Sequence, residues 1–178
     1  RRGHGVEVRH TIDGGFILTG YDDDPNDVLL LKADSQGAEE WRKTLGGWSG
    51  ESVQQTSDGG FIVAGGDSRA GHFLFRADSQ GDEEWTRRFG EDVRLYSVRQ
   101  TIDGGFVATG SSGNAMMLLK LDDQGNIEFR KDNSELGGTG KSVVPMADGG
   151  YVVMVAPGGP RIFLVKTNEY GDTVSLPD

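Results

Sequence analysis

The residues of this sequence that could do chemistry are few and scattered. There are three histidines, His4, His10 and His72, and no cysteine. No two histidines stand at a helical or strand spacing that would grip a metal, and the absence of thiols removes disulfides, thiolate catalysis and Cys-containing zinc sites. Serine and aspartate are plentiful, yet there is no Gly-x-Ser-x-Gly elbow and no phosphate loop. One acidic run stands apart, Tyr21-Asp22-Asp23-Asp24-Pro25-Asn26-Asp27. Asp22, Asp24 and Asn26 alternate as oxygen ligands do in a calcium loop, with Asp27 beside them, so Ca²⁺ is the one metal for which the chain offers a donor set. The run lacks the turn glycine and the distant bidentate Glu of an EF-hand, and no other cofactor is expected. Tyr21, Trp48, His72 and Tyr96 each join a ring to a polar tip, the kind of side chain that stacks on a sugar or anchors a protein interface. Packing at a sheet edge is the competing account of each. Acids such as Glu7 and Glu51 could be gathered from distant positions into a carboxylate pair, the minimum for hydrolase or lyase chemistry.

The elements that must position these residues follow from a repeat. Asp-Gly-Gly followed by an aromatic occurs at Asp13 to Phe16, Asp58 to Phe61, Asp103 to Phe106 and Asp148 to Tyr151, in steps of 45 residues. A second marker keeps the same register: Asp34-Ser35-Gln36-Gly37, Asp78-Ser79-Gln80-Gly81, Asp122-Asp123-Gln124-Gly125 and the divergent Asn168-Glu169-Tyr170-Gly171. A period of this length signals a repeat architecture, and four copies consume the chain. Within each copy four strands are expected. The first ends in Val-x-x-Thr and enters an Asp-Gly hairpin whose central residues take positive φ. The second and third (Phe16 to Thr19 and Val28 to Lys32 in the first copy) are apolar at nearly every position, as in sheets covered on both faces. The fourth mixes an aromatic (Trp41, Trp85, Phe129, with Val174 in the last copy) with dense charge, which blunts an exposed edge against pairing. Between the third and fourth strands, Asp-x-x-Gly makes a tight turn. Glycine and proline interrupt every candidate helical window.

Small two-sided sheets with one charged outer edge are what radial packing around an axis produces. The expected fold is therefore all-β, a β-propeller of four four-stranded antiparallel blades (6–50, 51–95, 96–140 and 141–178) forming a single domain. Closure on itself as a four-bladed monomer is favoured over half of an eight-bladed ring completed by a homodimer. The two tight turns of every blade share one end of the sheets and hardly vary, whereas the remaining connections share the other end and vary in length and chemistry. Function is expected at that variable end. The formal net charge of -10 argues against nucleic acid as a partner. No apolar run approaches the roughly 20 residues of a membrane helix, and Arg-Arg-Gly-His-Gly does not lead into a signal-peptide core, so no membrane insertion is expected.

With Thr-x-Asp-Gly-Gly-[Phe/Tyr], an apolar strand ending in Lys, Asp-x-x-Gly and a Trp strand recurring in order, the chain resembles the Asp-Gly-Gly-Phe propeller repeats of bacterial and archaeal secreted and cell-surface proteins. That resemblance implies an extracellular or cell-surface location and a non-catalytic binding or scaffold role, with a protein, a glycan or a neighbouring domain as partner. The alternatives are an enzyme with carboxylates at the channel mouth and a purely structural spacer. The fourth repeat departs from the pattern, with Pro145-Met146-Ala147 before its Asp and no Trp, as terminal repeats often do when they cap.

Overall fold

Two turns, each repeated four times, set the architecture. In the computed structural model, which describes residues 3–22, 27–67, 71–158 and 161–174, the Gly14 N–H bonds the Thr11 carbonyl and the Thr11 N–H bonds the Gly15 carbonyl. The same pair of bonds recurs at Thr56, Thr101 and Met146. The turn is therefore centred on Ile12-Asp13 with Gly14 after it at φ 83°, so Asp-Gly occupies its third and fourth positions and not, as the sequence suggests, its two central ones. The Asp13 carboxylate decides this by accepting from both the Thr11 hydroxyl and the Gly15 N–H. The second turn forms as expected, the Gly37 N–H bonding the Asp34 carbonyl while Asp34 Oδ1 accepts from the N–H groups of Gln36 and Ala38.

Between these turns run fifteen strands among the described residues. The first sheet is β1 (Gly3–His10), β2 (Phe16–Asp22), β3 (Asp27–Ala33) and β4 (Glu39–Leu45). The second is β5 (Ser49–Gln55), β6 (Phe61–Asp67), β7 (Gly71–Ala77) and β8 (Glu83–Arg88), and the third is β9 (Val93–Gln100), β10 (Phe106–Ser112), β11 (Ala115–Leu121) and β12 (Ile127–Asn133). All pairings are antiparallel between sequence neighbours. The fourth sheet has three strands, β13 (Thr139–Pro145), β14 (Tyr151–Ala156) and β15 (Phe163–Thr167). Where its fourth strand is expected, the described residues make only a single bridge, Thr167 with Thr173. Val174 is not in the place of the aromatic anchor, as the sequence suggests. Thr173 pairs with Thr167 as Glu39 does with Ala33, so Val174 stands where the other copies have Glu40, Glu84 and Glu128, and the aromatic's place falls on Ser175, outside the described residues.

The chain divides into two compact halves, Arg1–Glu91 with the first two sheets and Asp92–Asp178 with the last two. In the first half, Ile17, Val28 and Leu30 of the first sheet interlock with Phe61, Val63, Phe73 and Phe75 of the second. In the second half, Val107, Met116 and Leu118 meet Val143, Tyr151, Val153 and Val165. Each pair of sheets is joined by the same devices. Trp41 meets Phe61 edge-on at 5.5 Å and covers Gly81, where a Cβ would stand 2.8 Å from the indole. Phe129 sits 6.2 Å from Tyr151 and covers Gly171. Two residues beyond each aromatic, Lys43 pairs with Asp82 at 2.6 Å and Lys131 with Asp172 at 2.8 Å. Gly50 presses on Thr19 and Gly140 on Thr109, contacts too close to admit a Cβ. The middle strands β7 and β11 are buried at almost every position, as their composition indicates. Strands β2, β3 and β14 alternate buried with half-buried residues instead, because one face of the first and fourth sheets is only partly covered.

Candidate functional site

Of the four ring-bearing residues expected at the variable end, Tyr21, Trp48 and His72 belong to the first half and Tyr96 to the second. Tyr21 ends β2 half-buried and stacks on His4 at 4.6 Å. In the second sheet, the Trp48 N–H bonds the carbonyl of Gly66, whose cross-strand partner is His72, so these two share one end of that sheet. Trp48 is 46% exposed, whereas His72 is buried in β7. Tyr96 belongs to the other half, where the Lys141 ammonium lies 3.8 Å from the centre of its ring, a cation–π contact within the sheets.

Of the acidic run, Asp24 and Asn26 lie outside the described residues. Asp22 and Asp27 face each other across β2 and β3. Asp22 is 2% exposed, and among the described residues neither of its carboxylate oxygens has a hydrogen-bond partner. That carboxylate is what a cation would satisfy, and Asp22 and Asp27 are the two of the four expected donors that the described residues include, of the six to eight oxygens Ca²⁺ takes. Among the described residues no group of three or more metal-ligating side chains forms. Glu7, a candidate for a carboxylate pair, is held by Arg9 and accepts the Val53 N–H at 2.7 Å, so it joins the first two sheets.

The repeated aspartates do more than shape turns. Lys32, 5% exposed at the end of β3, is gripped by Asp13 at 2.9 Å and Glu40 at 2.7 Å. Arg76 pairs with Asp58 and Glu84, and Lys120 lies 2.9 Å from both Asp103 and Glu128. In the fourth sheet Lys166 has Asp148 at 2.8 Å and no glutamate. The Thr11 hydroxyl and then Lys32 hold the Asp13 carboxyl well below its ordinary range. Thr56 does most to lower Asp58. Burial opposes the charge on Asp103 but is outweighed by Thr101 and Lys120, and burial likewise opposes Lys120, whose pKa Glu128 and Asp103 nonetheless raise. These charges recur in register and are consumed by one another, which is a structural use.

A cleft of about 590 Å³ opens in the second half, between the third and fourth sheets, at the end occupied by the tight turns. The sequence points to the opposite end. Its floor is Phe129 and Tyr151, its rim Ile102, Met146 and Tyr170, and its polar lining Lys120, Glu128, Lys131 and Glu169. Ile102 is 91% exposed and Tyr170 64%. Five of the thirteen residues that line it are where the repeat is broken. Phe129 stands for Trp, Tyr151 for Phe, Met146 for Thr, Pro145 for His or Gln, and Tyr170 for Gln. The smaller Phe129 leaves room that Trp41 fills in the first half, and burial raises the Tyr151 phenol above its ordinary pKa, so its hydroxyl stays protonated. The signal for this site was present in the sequence as five departures from the pattern, which only the fold gathers into one place.

No family model matches the sequence, and no curated protein matches it. Solved structures do. A protein of unknown function from Bacteroides caccae is similar with a TM-score of 0.71 at 14% identity, covering 98% of this chain and 61% of that one. The WD40 β-propeller domain of Doa1 is similar at 0.63 with 17% identity over 84% of this chain and 47% of that one, and a luciferin-regenerating enzyme at 0.55 with 14% identity over 98% and 62%. At these identities the likeness shows the fold alone, an all-β, propeller-like array of antiparallel sheets. The chain spans less than two thirds of each of these chains.

Proposed function

We propose that this chain is a non-catalytic binding module of an extracellular or cell-surface protein, and that it takes a neutral sugar unit of a glycan in the cleft between its third and fourth sheets. The observation that carries this reading is the convergence of five repeat-breaking residues on one cleft. Its volume falls in the range of small-molecule sites. Three rings, Phe129, Tyr151 and Tyr170, offer faces for the apolar side of a sugar, and the Tyr151 hydroxyl with Glu128 and Glu169 offers donors and acceptors for its hydroxyls. The lining carries Asp103, Glu128 and Glu169 against Lys120 and Lys131, a balance that disfavours an anionic ligand.

The ring in which the sheets sit is part of the same proposal. A four-bladed closure and an eight-bladed ring of two copies both follow from the repeat count, while the greater length of the matched chains favours a ring with more blades than these four. In either ring the cleft lies between neighbouring blades.

The reading is tested by glycan-array binding followed by calorimetry on the best neutral oligosaccharide. Tyr170→Ala, an exposed turn substitution, is expected to weaken binding at least about tenfold, as loss of an interface aromatic does, and Trp48→Ala to leave it unchanged. Binding lost in Trp48→Ala and kept in Tyr170→Ala would move the site to the variable end.

A further inference from the structure

The second and fourth sheets present a recurring surface to the sheet before them. It consists of a glycine on the first strand (Gly50, Gly140) pressed against a threonine (Thr19, Thr109), an aromatic opening the second strand (Phe61, Tyr151), and a turn glycine (Gly81, Gly171) covered by an outer-strand aromatic (Trp41, Phe129). The first sheet carries the same set in the same register: Gly5, Phe16 and Gly37. There, among the described residues of the first half, no sheet covers the two glycines. A Cβ built on Gly5 or on Gly37 would have no atom within 4 Å. Gly37 is explained by its turn at φ 83°, but Gly5 has no positive φ to require it. Around them the face is apolar: Val8, 57% exposed, is in register with the half-buried Leu18 and Leu31.

We propose that this outer face of the first sheet is a seat for a further sheet of the same repeat type, one with a Trp or Phe on its outer strand and a small residue such as Thr on its second strand opposite Gly5. The occupant is set by continuity with the interfaces already formed, since the face repeats the residues that receive Trp41 in the second sheet and Phe129 in the fourth. The fourth sheet of this chain, or of a second copy, does not match it. Ser175 stands where the aromatic is needed, and Met154 stands where Thr19 and Thr109 meet their glycines. The matched solved chains, each extending well beyond the part this chain covers, have length for such additional sheets.

The test is a fusion in which a copy of residues 91–135, bearing Thr109 and Phe129, is joined directly before Arg1 of the full chain, which preserves the 45-residue spacing. The added sheet is expected to raise the thermal midpoint by at least about 4 °C in a single transition. Gly5→Val is expected to shift the parent chain by no more than about 1 °C and to abolish the gain in the fusion, as is Phe129→Ala in the added copy. A fusion that melts no higher than the parent overturns the proposal. So does a parent chain that sediments as a dimer and loses that state on Gly5→Val, because the seat would then belong to a second copy.

Discussion

At the scale of single residues, two tryptophans seven positions apart, one in a charged strand and one beside glycines, have opposite uses. Trp41 is clamped between Phe61 and Gly81, whereas Trp48 keeps nearly half its surface in water and is held only through its backbone. Trp41→Ala is expected to cost about 3 kcal/mol, the low end for a truncated aromatic because the ring is only half-buried, and Trp48→Ala no more than about 0.5 kcal/mol. Urea melts of both variants compare them directly, and an equal loss would mean that Trp48 is packed. Asp22 offers a second comparison. Its counterpart in the third sheet is Ser112, which accepts a bond from Arg130 at 2.7 Å. Asp22 instead keeps two buried oxygens with no partner among the described residues, and the corresponding Arg42 bonds Glu39. Asp22→Ser should therefore stabilise the chain in chelator by about 1 kcal/mol or more, since it removes a buried unpaired charge. A loss of stability on that change, together with a rise in the parent's melting temperature on adding Ca²⁺, would show that Asp22 serves a cation.

At the scale of elements, the buried cation at the end of the third strand in each of the first three sheets (Lys32, Arg76 and Lys120) ties the Asp-Gly turn to the outer strand. Asp13, Asp58, Asp103 and Asp148 all have pKa values below the ordinary 3.8 in the folded chain, and such groups contribute stability that is present above the unfolded value and lost as pH falls through the folded one. The melting temperature is therefore expected to hold steady from neutral pH down to about 5 and to fall below about 4. In Asp58→Asn, the acid fall should be shallower and the neutral-pH stability lower. An acid limb with the parent's slope in that variant would place the titrating groups elsewhere. Lys32 and Lys120 have raised values, so their share is present below the ordinary 10.5 and is lost only in strong alkali.

Much of this level was legible beforehand. The strand order, the charged outer edge and the Asp-x-x-Gly turns follow from local periodicity and turn chemistry, which act over a few residues. The Asp-Gly hairpin was misplaced by one position because the Asp carboxylate, which accepts from the N–H of the second glycine, and not the Asp-Gly pair alone, fixes the turn. The ion networks were missed because their members are 8 to 19 residues apart and meet only across strands. Apolar composition gave β7 and β11 correctly as buried on both faces but overstated β2, β3 and β14, since the same residue types serve a covered face and a waiting one.

For the whole molecule, a repeat makes its exceptions informative. Where four copies share one solution to packing, a position that departs from it has lost a packing duty or gained another, and in the second half five such positions border a single cleft. Sequence alone assigned the departures of the fourth repeat to capping and Phe129 to the outer-strand anchor, because nothing in the linear order shows that Phe129 and Tyr170 share a wall. The central claim is that the ligand enters there. Amide chemical-shift mapping of the isotope-labelled chain during titration with the neutral oligosaccharide selected on the array tests it most directly. The shifts should be confined to Ile102, Asp103, Met146, Gly149 and the Glu169-Tyr170 turn. Shifts centred on Trp48, His72 and Tyr96, with those turn amides unmoved, would contradict it.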